Sequence, residues 1–396
     1  MENLISKSTK KIGQVRGKIK RLIYDQISWN DRLILFLGYR GIGKTTLLLQ
    51  RLKEVGESGI YFSMDDLYFE TNRMVTVVEQ LYTLGYRSFF IDEVHRYLFW
   101  SKDLKQLYDD YDDIYLVATG SSILEVSKGQ ADLSRRASVH QMQGFSFREY
   151  LQFENQLYLS PIDLETLIER HYEISADLAS HFSVGKDFKN YLQYGYFPFY
   201  KENQSVYFQK LSETINLVID IDIAPFEELN YSTIRTMKKL LHVIGQSVPF
   251  VPNISKLSEQ LEAPRNTILR LLDLLDKAKI VKLLHADNEK LSFLKKPEKI
   301  YLENTNFMHL FADGKANIGS IRETFFFNQV AEQHQVSASR SGDFLVDQKY
   351  TFEVGGPNKN FQQIKGVPHS YLAIDVENGS GNKIPLWLFG MLSSHG

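Results

Sequence analysis

The chain has 396 residues, 43% of them hydrophobic and 24% charged, a composition that excludes disordered and fibrous classes and suits roughly two to three folded domains. Its formal net charge of −2 excludes a global electrostatic pull toward nucleic acid, so any such contact has to be local. Cysteine is absent, which excludes disulfides, thiolate zinc sites and cysteine nucleophiles and fits a reducing cytoplasm.

Residues 1–24 carry Lys7, Lys10, Lys11, Arg16, Lys18, Lys20 and Arg21 against Glu2 alone, with Ile12, Val15, Ile19, Leu22 and Ile23 interleaved at helical spacing. This predicts an amphipathic basic arm that packs its apolar side onto the neighbouring core; the alternative use is anion or nucleic-acid contact. No apolar run approaches the roughly 20 residues of a membrane span, and no signal peptide opens the sequence. A cytoplasmic location and no membrane partner are therefore expected.

Residues 25–150 read as a nucleotide-binding core. Leu33–Leu37 is a continuous apolar run of the kind buried on both faces of a parallel sheet. It leads into Gly38-Tyr39-Arg40-Gly41-Ile42-Gly43-Lys44-Thr45, and Thr46–Leu52 then has helical character. Glycines let backbone N–H groups curl around phosphate oxygens, the lysine reaches the β/γ-phosphates, and the Thr45 hydroxyl ligates Mg²⁺; residues Gly38 to Thr46 are the expected binding loop. The chain is expected to bind a nucleoside triphosphate.

Gly59–Ser63 precedes Asp65-Asp66, but the strand that opens at Ser88 and runs into Asp92-Glu93 is expected to be the longer and the better acidic partner for that loop. Asp92 is expected to hold the Mg²⁺ shell, and Glu93 to polarise the attacking water. The segment Asp113–Ser122 reads as a further strand, with Thr119 or Ser121 at its polar tip to sense the γ-phosphate or, equally, to cap a turn. Arg135 and Arg136 precede a fifth strand, Val139–Met142, and either could supply a guanidinium to a neighbouring subunit's γ-phosphate.

The ordered set Gly38–Thr45, Phe89–Glu93, Ala118–Ser122, Arg135–Arg136 and Gly144–Leu151 resembles the prokaryotic AAA-type P-loop ATPase family, whose members carry a C-terminal region similar to PD-(D/E)XK nucleases. Tyr191–Pro198 resembles the helical segment after the core in that family. The resemblance implies an α/β fold with a five-stranded parallel sheet of additional-strand type, order 5-1-4-3-2. It further implies ATP as the nucleotide, Mg²⁺ as cofactor and assembly-dependent hydrolysis. Arg40 stands where relatives often have arginine, and no second sensor arginine is recognisable downstream.

Beyond the core, residues 151–230 read as a helical lid, with Tyr191, Tyr194, Tyr196, Phe197, Phe199 and Tyr200 as core rather than a ligand platform. Residues 231–290 read as a winged helix-turn-helix. Nine Lys/Arg face four Asp/Glu over 231–285, Ile254, Leu257 and Leu261 mark one helix, and Ile268, Leu271, Leu272 and Leu275 stripe a second. Arg265, Asn266 and Arg270 on that helix could reach duplex DNA, whereas Asp273 and Asp276 blunt the basic face and leave a protein partner or homo-oligomer as the alternative.

Residues 291–396 read as a nuclease-like α/β domain with a helix at Ile321–Gln333. Glu323, Asp343 and Glu353 match the acids the resemblance asks for, but its lysine position is Gly355 and a Gly355–Asn358 turn stands before Lys359 or Lys365 could enter the site, which predicts a nuclease-derived scaffold without cleavage activity. The leading reading is thus Mg²⁺-dependent ATP hydrolysis coupled to assembly or a partner. Its alternatives are an ATP-switched DNA- or protein-binding regulator and an ATP-regulated nuclease.

Overall fold

Apolar runs that alternate with helical segments close up as a parallel sheet whose crossovers cover both faces, and the computed structural model forms one. It describes residues 1–15, 19–120, 133, 135–226, 228–286, 295–313 and 315–392. Its strands are β1 (Leu33–Gly38), β2 (Gly59–Ser63), β3 (Ser88–Asp92), β4 (Tyr115–Gly120) and β5 (Ser138–Met142), all parallel and ordered β2-β3-β4-β1-β5. Read from the other edge, this is the expected order 5-1-4-3-2. Strand β4 pairs with both β1 and β3, Leu37 opposite Gly120 and Ile91 opposite Ala118, so the strand ends align along one edge.

This sheet belongs to a first unit, residues 1–144 with 220–227; residues 145–219 and 228–396 form a second. In the first, Leu33, Leu35 and Leu37 share a core with Phe62, Phe89, Ile91 and Leu116. Helices α4 (Met74–Thr83) and α5 (Trp100–Asp110) cover that face, after the short α3 (Tyr68–Thr71), and α2 (Lys44–Val55) packs against β1 to β4.

Helix α1 (Glu2–Gln14) runs along β2, burying Leu4 and Ser8. Ser8 Oγ accepts the Tyr61 N–H at 2.9 Å, which caps an edge strand that would otherwise leave an open donor. The first helix of the basic arm ends at Gln14, Val15 is already extended, and a short 3-10 helix follows at Leu22–Gln26. Of its cations, Lys7 pairs with Asp66 and Lys20 with Glu54, while Arg16 and Lys18 lie outside the described residues.

In the second unit, the helices Phe147–Asn155, Leu164–Leu178, Val184–Asn190 and Tyr207–Leu217 pack around aromatic rings. Tyr191, Tyr196, Phe197 and Tyr200 are buried there. Helices Ile254–Gln260 and Arg265–Lys277 come next, then the antiparallel pair β6 (Val281–Leu284) and β7 (Lys299–Leu302). Ile268, Leu271, Leu272 and Leu275 are all buried, and Arg265, Asn266 and Arg270 are exposed.

The C-terminal sheet has the order β12-β11-β10-β9-β8, from β8 (Val336–Ala338), β9 (Phe344–Val346), β10 (Tyr350–Gly355), β11 (Ser370–Ile374) and β12 (Lys383–Pro385). The helix beside it spans Ile318–Val330, about one turn earlier than the periodicity suggested, because the Asn317 side chain caps it by accepting from the Gly319 and Ser320 amides. Among the described residues no helix is long and apolar enough to cross a membrane.

Candidate functional site

The phosphate loop leaves β1 at the sheet edge where the strands end. Gly38 has no room for a side chain: a Cβ there would stand 2.3 Å from the Met142 carbonyl oxygen and 2.6 Å from Ile42 Cδ1. Gly43, at φ 99°, is the left-handed residue that turns the chain into α2. Ile42 is fully buried and anchors the loop from beneath.

Arg21 adds a tie that the sequence did not suggest. Its guanidinium donates to the Ile42 carbonyl at 2.6 Å and to the Gln143 and Gly144 carbonyls at 2.8 and 3.2 Å, fixing the loop to the chain that leaves β5.

Lys44 is buried at the head of α2, where its ammonium donates to the carbonyls of Gly38 at 2.8 Å and Tyr39 at 2.7 Å. Burial holds its pKa below the ordinary lysine value, and Glu93 and Asp92 oppose that shift. Thr45 Oγ1 donates to Asp92 Oδ2 at 2.8 Å, joining the phosphate loop to the end of β3. Tyr61 OH donates to the same oxygen at 3.0 Å, and Thr119 Oγ1 donates to Asp92 Oδ1. Burial, then the neighbouring Glu93 charge, pushes the Asp92 carboxyl up; the three hydroxyls only partly offset this.

Thr119 therefore faces inward in this structure. Its hydroxyl also accepts the Glu93 N–H at 3.2 Å, so it braces the acidic pair rather than pointing into open space. Ser121 lies outside the described residues. Glu93 sits at φ 53°, a left-handed conformation uncommon for a glutamate, and this ends β3 abruptly. Its carboxylate lies 3.4 Å from His95 Nε2 and 3.9 Å from the Arg40 guanidinium. Arg40 in turn grips Asp222 with two bonds, of 3.0 and 2.8 Å, and His95 Nε2 stands 3.6 Å from the same carboxylate.

A cavity of about 600 Å³ opens against Thr45, Asp92, Glu93 and Tyr61, with Lys7 and Lys10 of α1 on its far wall. That volume is in the range of small-molecule sites. The rival acids Asp65 and Asp66 line it too, but they are engaged by Arg96 and Lys7. Strand length does not distinguish the two acidic pairs, since β2 and β3 have five residues each; the Thr45 hydrogen bond does.

Arg135 and Arg136 precede the first residue of β5, so they belong to the sheet edge opposite the phosphate loop. Some 15 Å of strand separates the two edges, more than an arginine side chain spans. Arg136 pairs through two bonds, 2.7 and 2.9 Å, with Asp109, and Arg135 is exposed. Among the described residues, the arginine that pairs with Glu93 is Arg40, at 3.9 Å.

In the second unit the three C-terminal acids come together with two lysines. Lys299 Nζ lies 3.4 Å from both Glu323 and Asp343, Tyr301 OH donates to Glu323 at 2.7 Å, and Lys359 pairs with Glu353. Lys359 fills the space above Gly355: a Cβ built there would meet its side-chain carbons at 2.8 to 2.9 Å. Burial, then the Lys359 bond against it, and the facing acids leave the Glu353 carboxyl above its usual range. Among the described residues no three acids or histidines approach closely enough to hold a metal.

On the helix Arg265–Lys277, Asp276 does not blunt the basic face as the sequence suggested. Its carboxylate accepts the Leu283 N–H at 3.0 Å and so turns toward the β6–β7 pair, while Asp273 pairs with Lys277 at 2.9 Å.

A family model described as an AAA domain matches residues 30–151, a span holding the phosphate loop, Asp92-Glu93, β4 and β5, and it supports an AAA-type P-loop ATPase. The chain is 27% identical over 305 residues to the uncharacterized protein MJ1637 of Methanocaldococcus jannaschii; the match takes in 70% of this chain and 64% of that protein's length. Among solved structures it is similar to the Walker-type ATPase PABY2304 of Pyrococcus abyssi, at 13% identity over 71% of this chain and 91% of that one, with a TM-score of 0.38. It is also similar to the Orc1 protein of Aeropyrum pernix in complex with DNA, at 11% identity over 79% and 92%, with a TM-score of 0.30. Likenesses that distant carry no argument about nucleotide turnover or DNA.

Proposed function

We propose that the chain binds ATP with Mg²⁺ and hydrolyses it. One observation carries this reading: a hydroxyl at the first turn of α2 and a carboxylate at the end of β3 meet at 2.8 Å across 47 residues of sequence. Both are oxygen donors, which suits a hard cation that keeps waters and phosphate oxygens in its shell. Asp92, pushed up by burial and by Glu93, is a carboxylate that a counter-cation would relieve. When bound, Mg²⁺ would be held by Thr45 and Asp92 and would neutralise charge on the phosphates.

Lys44 and the amides at the start of α2 would cradle the phosphates of the nucleotide, and Glu93 would orient the attacking water. Lys7 and Lys10 on the cavity's far wall would add attraction for a polyanion. Arg135 or Arg136 would serve a neighbouring copy, because neither can serve its own. ATP turnover measured across protein concentration, with and without duplex DNA, is the test. Turnover per chain that rises with concentration supports completion by a neighbour; absence of turnover together with absence of heat on adding Mg·ATP sinks the reading.

A second reading, in which ATP switches contact with duplex DNA, is favoured by the exposed Arg265, Asn266 and Arg270 on one helix. Salt-dependent DNA binding that differs between ATP and ADP would support it, and nucleotide-indifferent binding counts against it. For residues 291–396 we favour a scaffold over a nuclease. Lys299 already places an ammonium between Glu323 and Asp343, where a catalytic cation would have to sit.

A further inference from the structure

Asp222 is a buried carboxylate, 4% exposed, that no phosphate-loop pattern foresees. It lies in residues 220–227, a short run that belongs to the first unit while the chain on both sides of it belongs to the second. There it holds the Arg40 guanidinium by two bonds of 3.0 and 2.8 Å, the two-toothed geometry that orients arginine most firmly. Glu93 competes for the same cation: its Oε2 is 3.9 Å from the Arg40 terminal nitrogen, against 2.8 Å for Asp222. His95 stands between the two carboxylates, 3.4 Å from Glu93 and 3.6 Å from Asp222. Burial pushes the Asp222 carboxyl up, yet His95 and Arg40 together hold it below the ordinary carboxylate range, the mark of a carboxylate held charged.

We propose that Asp222 is a positioning residue for ATP hydrolysis, which keeps Arg40 off Glu93 so that the glutamate remains available to the attacking water. The proposal rests on the ATPase reading of the site and adds its control. With Asp222 in place, Arg40 spends its two short bonds there and stands 3.9 Å from Glu93; with Asp222 withdrawn, that long ion pair would be free to shorten and capture the base. Nucleotide binding, which depends on the loop amides, Lys44 and Thr45, survives that change, and turnover does not.

The test is a double-mutant cycle on the full chain, reading steady-state turnover and Mg·ATP affinity for wild type, Asp222→Asn, Arg40→Gln and the pair. Asp222→Asn is expected to lower kcat by about tenfold or more with less than about a threefold change in affinity. In the Arg40→Gln background the same change is expected to cost less than about twofold, because Arg40 is no longer there to capture Glu93. Equal losses in both backgrounds, an unchanged kcat, or a fall in affinity matching the fall in kcat overturns the proposal. Wild type that does not turn over ATP overturns the hydrolysis reading, and this proposal with it; an active wild type beside an unaffected Asp222→Asn overturns this proposal alone. Should Asp222→Asn not fold, Arg40→Lys takes its place: it keeps the charge, gives up the two-toothed bond, and must show the same selective loss of kcat.

Discussion

The two acid clusters of this chain use the same residue types to opposite ends. Asp92 in the first unit is held by three hydroxyls, from Thr45, Tyr61 and Thr119. Glu323, Asp343 and Glu353 in the second are matched by ammonium groups, Lys299 for the first two and Lys359 for the third. A hydroxyl orients a carboxylate without cancelling its charge, so the site can still take a cation. An ammonium does both, and leaves a cation nothing to gain. The contrast separates a carboxylate that can still take a cation from a cluster in which two ammonium groups already face three carboxylates.

The most drastic way to break the comparison is Lys44→Ala. It removes the ammonium proposed to meet the phosphates and leaves the Gly38 and Tyr39 carbonyls without that partner. Mg·ATP affinity is expected to fall by on the order of a hundredfold or more, read by calorimetry. Glu93→Gln should separate binding from chemistry: affinity stays within a few-fold of wild type, while turnover drops by about 10²-fold or more, the scale of a lost general base. A Glu93→Gln protein that turns over ATP at the wild-type rate removes Glu93 from the mechanism.

The second cluster can be probed in the opposite sense. Lys299→Met takes away the ammonium and leaves Glu323 and Asp343 facing each other, so the unit should lose about 1–3 kcal/mol of stability. Millimolar Mn²⁺ should restore part of that loss in the variant while leaving the wild-type unfolding midpoint of this unit unchanged. Plasmid nicking by wild type in Mg²⁺ or Mn²⁺ that disappears in Glu353→Ala would reverse the scaffold assignment.

Much of the first site was legible because its parts are local. Gly38–Thr45 and Asp92-Glu93 each carry their chemistry within a few residues, and the apolar runs before them dictate parallel strands whose ends meet. What escaped notice depends on distance or on geometry that spacing does not encode. Asp222 reaches Arg40 across 182 residues and Arg21 reaches Gln143 across 122, and neither has a local pattern. His95, two residues past Glu93, could have been found by asking which neighbour can lie beside a carboxylate. Tyr61 looked like strand core, and only the pairing of β2 with β3 brings its hydroxyl to Asp92. Between Lys359 and Lys365 the sequence left the choice open, and the turn at Gly355 decides it by laying Lys359 against Glu353.

The smallest expected effect concerns the helix proposed for DNA, and it tests whether the acid there is structural. Burial pushes the Asp276 carboxyl up to about 6 from its ordinary 3.8, with Lys279 and the Leu283 amide opposing. An acid whose folded pKa lies above its unfolded value binds more protons when folded, so its contribution to stability is largest at low pH. That contribution declines as pH rises through the interval from 3.8 to about 6 and is absent above it. Asp276→Asn keeps an oxygen to accept the Leu283 N–H but does not titrate. The variant should therefore lose the wild-type decline across that interval and be the more stable protein at pH 7, by a margin that chemical denaturation can resolve. DNA affinity should be unchanged, because the carboxylate turns toward the hairpin and not toward Arg265. A variant that binds DNA more tightly, with the same pH dependence of stability as wild type, would return Asp276 to the exposed face.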